Sequence, residues 1–304
     1  MSSHSPFPQI ILVPQGAEYK AVCRGLSRVK SPKPIAVPIP VGPKALTQYL
    51  EQWQQAEEYL KISPSRVLVM GLCGSLSPHL GVGDIVVYQD CVYQSSESTP
   101  LVRECDREFT TWLHHKLVEI GINNPSVVSG GAGELGSWGA GERGSEGAGE
   151  RGSWGAGERG SGGAGERKLL IDSGKLVANF CRPTRGEGIP LVRVYTSDRI
   201  IVSAEQKRHL AQTYNTQVVD MEGFAALEVL SQAGIAVAML RVISDDSHHN
   251  LPNLSSALSP EGSLQPLPLA LGMLQQPIAS IRLVRGALHG LRVLRNVTSL
   301  LFSE

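Results

Sequence analysis

The sequence has no excess of charge of either sign. Lysine and arginine together number 28, and aspartate and glutamate also number 28, in a chain of 304 residues. Proteins that bind nucleic acid usually present a basic surface, so this balance gives no reason to expect nucleic acid as a partner. We expect a small-molecule ligand instead.

The sequence also lacks the cysteine pattern of a disulfide framework or a zinc site. Its five cysteines are odd in number, scattered, and without C-x-x-C spacing. This pattern favours the reduced thiols of a cytoplasmic protein. The pair His248-His249 has no third ligand at a suitable spacing, so we expect no metal and no cofactor other than a co-substrate.

Long apolar runs are absent as well. No run approaches the roughly 18–20 apolar residues that span a bilayer. The first residues, MSSHSPFPQ, lack the basic and apolar regions of a signal peptide. We therefore expect a cytoplasmic protein whose contact with a membrane, if any, is peripheral.

What the sequence does contain is an alternation of apolar strands with segments of helical spacing. The predicted strands are Ile10–Val13, Arg66–Met70, Ile85–Tyr88, Leu191–Tyr195 and Ala236–Asp245. The predicted helices are Ala17–Leu26, Ala45–Leu60, Glu104–Ile120 and one that starts near Ser203. Such alternation predicts a largely parallel sheet covered by helices. Residues 31–43 hold five prolines, which predicts an edge segment or a loop.

One segment differs from the rest of the chain. Residues 131–167 repeat the unit G-A-G-E-[LR]-G-S-x with a period of eight and have almost no aliphatic side chains. Too little apolar area is available there to offset the entropy lost on ordering. We predict a disordered insertion in a surface loop of a single domain that spans residues 1–304.

Two carboxylates follow predicted strands. Glu222 lies in the acidic turn that follows an apolar strand beginning at Val218, and Asp245 ends the strand Ala236–Asp245. In open α/β sheets, ligands bind at the carboxyl ends of strands. A small-residue turn is predicted at Gly71–Leu76, where the glycines would let a ligand approach the backbone closely.

These stretches resemble the purine nucleoside phosphorylase superfamily, in particular its methylthioadenosine/adenosylhomocysteine nucleosidase branch. The resemblance depends on three motifs: GLCGSLSPHLGVGDIVV (Gly71–Val87), VVDMEGFAALEV (Val218–Val229) and VAMLRVISD (Val237–Asp245). It implies a mixed, largely parallel sheet that closes toward a distorted barrel flanked by helices. The stretch LPNLSSALSPEG, together with the arginines near the C-terminus, resembles the hopanoid-associated branch, whose members cleave adenine from an adenosylated triterpenoid.

The resemblance implies roles for individual residues. Glu222 would hold the ribose 2′-hydroxyl, Asp245 would protonate the purine at N7, and Glu18 would orient or deprotonate the nucleophile. These roles suit N-glycosidic cleavage, which needs an acid for the leaving group and negative charge near the developing cation. The remaining candidate substrate-binding residues are Met221, Ile200, Ile201, Ser244, Cys73 and Gly74.

The nucleophile stays open at this point. The superfamily's phosphorolytic members hold phosphate with a serine in the glycine-rich turn and nearby arginines, whereas Leu72 and Val69 stand at those positions here. These differences favour water. Gly16 and Lys20 keep the spacing of an anion contact and are candidate phosphate-binding residues.

The expected function is therefore the release of adenine from a 5′-substituted adenosine, with an adenosylated hopanoid as one candidate substrate. The alternatives are a methylthioadenosine/S-adenosylhomocysteine nucleosidase and a non-catalytic nucleoside-binding protein. The resemblance also implies a homo-oligomer.

The C-terminal part, residues 267–304, is predicted to be an amphipathic basic helix. Its basic residues recur at intervals of three or four: Arg282, Arg285, His289, Arg292 and Arg295. Three interpretations remain open: packing on the core, contact within an oligomer, or docking on anionic lipid.

Overall fold

The computed structural model describes residues 7–30, 32–56, 62, 64–95, 99–122, 188–252 and 273–303. The predicted insertion at 131–167 and the first residues of the predicted C-terminal helix, 267–272, lie outside the described residues. The described residues belong to one compact unit.

Five strands close into a ring. Within the described residues, the strands are β1 (Ile10–Pro14), β2 (Ile35–Ile39), β3 (Arg66–Ser75), β4 (Ile85–Tyr93), β5 (Leu101–Glu104), β6 (Leu191–Thr196), β7 (Val218–Asp220) and β8 (Ala236–Asp245). The ring runs β3, β8, β4, β6, β7 and back to β3, each strand hydrogen-bonded to the next. Strands β1 and β2 extend the sheet from β3, and β5 extends it from β4. The predicted distorted barrel is confirmed.

Most strand pairs are parallel, as predicted. The pairs β1–β2, β1–β3, β3–β8, β4–β6 and β6–β7 are parallel, whereas β3–β7, β4–β5 and β4–β8 are antiparallel. The proline-rich segment forms the edge strand β2, where Pro38 pairs with Val13. An edge strand tolerates proline because one of its sides needs no ladder hydrogen bonds.

Six helices surround the sheet in the described part of the chain: α1 (Ala17–Leu26), α2 (Pro43–Trp53), α3 (Arg107–Glu119), α4 (Ala204–Tyr214), α5 (Gly223–Gln232) and α6 (Pro277–Phe302). Polar side chains begin two of them. Asp106 accepts a hydrogen bond of 2.7 Å from the N–H of Phe109 at the start of α3. Ser203 accepts from the N–H groups of Glu205 and Gln206, which confirms the predicted start of α4. Such caps satisfy the free N–H groups of the first helical turn.

The core lies on both faces of the sheet. Side chains alternate along a strand, so Ile10 packs on one face and Ile11 on the other. The first face is covered by α2 and α5, with Leu46 of α2 fully buried. The second face is covered by α1, α3 and α6, with Leu113 and Leu294 fully buried. Two-sided burial explains why β1 reads as a continuous apolar run.

One sequence prediction near the ring is wrong. The segment Gly71–Ser75 is not a turn but the second half of β3. Its residues remain paired with β8 as far as Gly74, and Gly74 and Ser75 also pair with Val219 and Val218 of β7. Ladder hydrogen bonds on both sides therefore extend the strand that the glycines were expected to end.

Two helix boundaries also differ from the predictions. Helix α2 ends at Trp53 rather than at Leu60, and a tight turn with hydrogen bonds from Gln55 to Gln52 and from Ala56 to Trp53 follows it. Helix α3 begins at Arg107 rather than at Glu104, because Leu101–Glu104 pairs with β4 as the unpredicted strand β5.

Candidate active site

A cleft opens where β3 and β8 end side by side. The two strands are parallel, and their register shifts between Cys73 and Gly74, so that Ser244 has no partner on β3. Such a bulge redirects the side chains around it. The Ser244 hydroxyl donates to the Cys73 carbonyl oxygen at 3.2 Å and also lies 3.0 Å from Asp245 Oδ1.

The cleft has a volume of about 250 Å³ and is lined by residues from eight parts of the chain. Most of the predicted site residues meet there. The lining comprises Glu18, Val41, Leu72, Cys73, Gly74, Arg199, Ile200, Ile201, Val219, Asp220, Met221, Glu222, Ser244, Asp245, Leu251 and Ala287.

A buried arginine holds the acidic groups at the floor of the cleft. Arg241 lies in the middle of β8 and has no exposed surface. Its Nη2 atom is 3.2 Å from Glu222 Oε2 and 3.6 Å from Asp220 Oδ2. Asp220 is held in turn by the Thr196 hydroxyl at 2.8 Å and by the N–H of Gly223 at 3.0 Å. A buried charge needs such pairing, and the arginine keeps two carboxylates beside each other.

Glu18 reaches the same cluster from α1. Its Oε2 atom accepts a hydrogen bond of 2.7 Å from the N–H of Leu72. Burial raises the pKa of Glu18 from 4.5 to about 7, and the opposing effects of Arg241 and the Leu72 N–H are smaller. A carboxylate with this proton affinity suits a general base near neutral pH.

The glycine at position 71 makes room for this cluster. A side chain at Gly71 would collide with the Arg241 guanidinium and with the Glu18 carboxylate. Gly74 is similarly close to Asp245, since a Cβ there would lie 3.0 Å from Asp245 Oδ2. The lack of a side chain at Gly71 and Gly74 therefore makes room for the carboxylates of Glu18 and Asp245.

Glu222 is almost fully buried beside Arg241. Burial raises its pKa, Arg241 opposes the rise, and the nearby Asp220 and Glu18 add to it. A carboxylate held in this way responds strongly to a positive charge that develops close to it.

Asp245 is paired with a lysine that the sequence did not single out. The Lys207 ammonium donates to Asp245 Oδ2, and it also donates to the Asp246 carbonyl oxygen at 2.7 Å. Lys207 has no exposed surface, although it lies in α4. Both oxygens of Asp245 are thus engaged, one by Lys207 and the other by the Ser244 hydroxyl.

The rest of the lining is largely apolar. Met221, Ile200 and Ile201 lie in the lining of the cleft. Cys73 is buried, and its pKa is raised far above the ordinary value because burial disfavours the thiolate. It is therefore a packing thiol rather than a nucleophile.

The structure does not bring Gly16 and Lys20 into the lining of the cleft. Both lie on the exposed surface at the start of α1, and Gly16 precedes the helix with a φ of 95°. In the described part of the chain, no group of three or more His, Cys, Asp and Glu residues has the arrangement of a metal site.

Helix α6 covers one side of the cleft. Ala287 contributes to the lining. A Cβ at Gly286 would collide with the Ser244 carbonyl oxygen, and one at Gly290 would lie 3.0 Å from Leu72. Glycine at these two positions lets the helix pack directly on the ends of β8 and β3.

Comparison with known proteins agrees with this geometry. Residues 167–257, just under a third of the chain, match the family model described as the phosphorylase superfamily. The resemblance to this superfamily is confirmed. The matched residues include α4, the Asp220–Glu222 turn and all of β8, so they contain much of the cleft.

A solved nucleosidase structure shows the same fold, and two further structures are similar at lower scores. The structure of 5′-methylthioadenosine/S-adenosylhomocysteine nucleosidase from Helicobacter pylori with butyl-thio-DADMe-Immucillin-A has a TM-score of 0.51 and 13% identity, with 94% of each chain covered. Futalosine hydrolase from the same organism has a TM-score of 0.49 and 13% identity, covering 92% of this chain and 96% of that chain. The corresponding nucleosidase from Campylobacter jejuni has a TM-score of 0.49 and 10% identity, covering 96% and 99%. No curated protein matches this chain.

Proposed function

We propose that this protein cleaves the N-glycosidic bond of an adenosine-type nucleoside and releases adenine by hydrolysis. The observation that supports this most directly is the convergence of Glu18, Glu222 and Asp245 on one cleft of nucleoside size. Cleavage of this bond creates a cationic sugar and a basic leaving group, and carboxylates in different environments serve both needs.

Each carboxylate has a place in the reaction. Glu222, held by Arg241, faces the developing positive charge of the ribose. Asp245 stands at the end of β8 for transfer of a proton to the purine. Glu18, with its pKa of about 7, accepts a proton from the attacking water.

Water is favoured over phosphate by the charges in the lining. Glu18, Asp220, Glu222 and Asp245 supply four carboxyl groups to the lining, whereas Arg199 supplies its positive charge and the buried Arg241 is already paired with Asp220 and Glu222. A phosphate dianion would be repelled by this surface, and the proposed anion contact Lys20 is outside it. A neutral water molecule meets no such barrier.

The cleft volume limits the substituent that fits inside. About 250 Å³ is below the roughly 300–1,000 Å³ of typical ligand sites, which favours a nucleoside with a short 5′ group over one with a large group held inside the cleft. A methylthioadenosine-type substrate is therefore the first one to test. An adenosylated hopanoid would have to extend past Ala287 along α6.

Exposed apolar residues on α6 offer a path for such a substituent. Ile278, Ile281 and Leu288 are between 53% and 76% exposed. The 26 residues of α6 include exposed arginines and no acidic residue. We therefore propose that α6 docks on an anionic lipid surface, since an isologous contact between two copies would place like charges together. None of the described helices is long and apolar enough to cross a membrane.

A substrate panel tests the proposed activity. Methylthioadenosine, adenosylhomocysteine, adenosine and a long-chain 5′-alkylthioadenosine are incubated with the wild-type protein, and adenine is followed by chromatography. Release of adenine from at least one of them, lost in the variant Glu222→Ala, is the expected result. Binding of these compounds by calorimetry without any adenine would instead indicate a non-catalytic nucleoside-binding protein.

A further inference from the structure

The buried lysine Lys207 pairs with Asp245, whereas Arg241 holds Asp220 and Glu222. Its side chain leaves α4, has no exposed surface, and ends on the Asp245 carboxylate at the wall of the cleft. Long charged side chains are almost never fully buried unless they are paired. The charged partner of Lys207 is the residue proposed to protonate the leaving base.

The position of Lys207 is fixed from two sides. Ser203 caps the start of α4, and the Ala204 N–H donates to Asn250 Oδ1 at 2.8 Å. The Leu251 N–H donates to the Val202 carbonyl oxygen at 2.9 Å. These two hydrogen bonds join the segment that follows β8 to the start of α4, and they hold the Lys207 ammonium in contact with Asp245.

The contacts of Asp245 raise the question of where the proton for the purine comes from. One oxygen of its carboxyl group, Oδ2, accepts from the Lys207 ammonium, so the group faces a buried cation. A general acid must nevertheless hold a proton when the purine departs. The nearest group that can supply one is Lys207 itself.

We propose, on the basis of the function proposed above, that Lys207 is a positioning residue that orients Asp245 and supplies the proton it passes to the purine. The C1′–N9 bond breaks, and its electron pair goes to the base. N7 takes a proton from Asp245 while Asp245 takes one from Lys207. Water forms the new bond to C1′ and gives its proton to Glu18. The neutral Lys207 amine regains a proton from solvent after adenine leaves the cleft.

Two leaving groups distinguish this role from a structural one. Adenine needs a proton to depart, whereas 4-nitrophenolate departs without one. We compare kcat of Lys207→Met on the best adenine nucleoside with kcat on the 4-nitrophenyl riboside that carries the same 5′ group. We expect a loss of about 100-fold for adenine release and a change of less than about 2-fold for nitrophenolate release. Because both rates come from one sample, their ratio does not depend on the fraction of folded protein.

Matched variants complete the test. Lys207→Arg keeps the charge and should restore most of the adenine rate, while Lys207→Met should cause no further loss in an Asp245→Asn background. An equal loss on both substrates, or no loss on either, would overturn the role of Lys207 without touching the proposed function. A wild-type protein that cleaves neither substrate would overturn the proposed function itself.

Discussion

Replacement of Glu18 by glutamine should change how stability depends on pH. The pKa of Glu18 is raised by folding from 4.5 to about 7, mainly through burial. The folded chain therefore keeps a proton that the unfolded chain releases. The stabilisation from this proton is complete below about pH 4.5 and is lost as the pH rises through about 7.

The size of the effect follows from the two pKa values. A tenfold change in proton affinity is worth about 1.4 kcal/mol, so the rise from 4.5 to about 7 corresponds to roughly 3 kcal/mol of unfolding free energy. Most of this, about 2–3 kcal/mol, falls between pH 5 and pH 8. Glutamine imitates the protonated carboxyl and accepts the same hydrogen bond from Leu72, so Glu18→Gln should remove that part of the pH dependence.

Urea unfolding at about pH 5 and pH 8 measures the difference. From pH 5 to pH 8, the unfolding free energy of Glu18→Gln should rise by about 2–3 kcal/mol relative to that of the wild type. The same change at an exposed position of α2, Glu51→Gln, should leave the difference from wild type unchanged. Glu18→Gln should also lose adenine release by about 100-fold or more as a missing general base. Parallel pH profiles for wild type and Glu18→Gln would refute the assignment of a raised pKa.

Three further changes have distinct expected outcomes. Asp245→Asn should lower adenine release by about 100-fold or more and reduce the melting temperature, because Lys207 loses its charged partner; an active variant of unchanged stability would contradict this. Arg241→Met should lower the free energy of urea unfolding by about 3–5 kcal/mol, and an unchanged urea midpoint would show that the buried cluster does not need its cation. Arg282→Glu combined with Arg285→Glu should abolish sedimentation with phosphatidylserine vesicles while leaving adenine release intact; equal sedimentation of variant and wild type would rule out lipid docking through α6.

The positions of Glu222 and Asp245 could be predicted because each follows an apolar strand. Parallel strands bring their carboxyl ends to one edge, so residues distant in sequence meet there. The same reasoning applied to Arg241 would have located the centre of the cluster, since a charge inside the apolar strand AVAMLRVIS must find a buried partner.

Lys207 could not be found in this way. It adjoins Arg208 in a helix of mixed polarity, and only the rotation of α4 against β8 decides which of the two points inward.

Strand β5 was not predicted for a different reason. It has four residues, and Leu101 and Val102 are exposed, so neither length nor alternation marks it as a strand.

The products formed from methylthioadenosine test the central claim most directly. The wild-type protein is incubated with this nucleoside in buffer with and without inorganic phosphate, and adenine and the sugar are identified by mass spectrometry. The account predicts adenine and free methylthioribose at the same rate in both buffers, with Lys20→Ala as active as wild type. Methylthioribose 1-phosphate formed only in the presence of phosphate would contradict hydrolysis, and the absence of adenine in both buffers would contradict cleavage of this nucleoside.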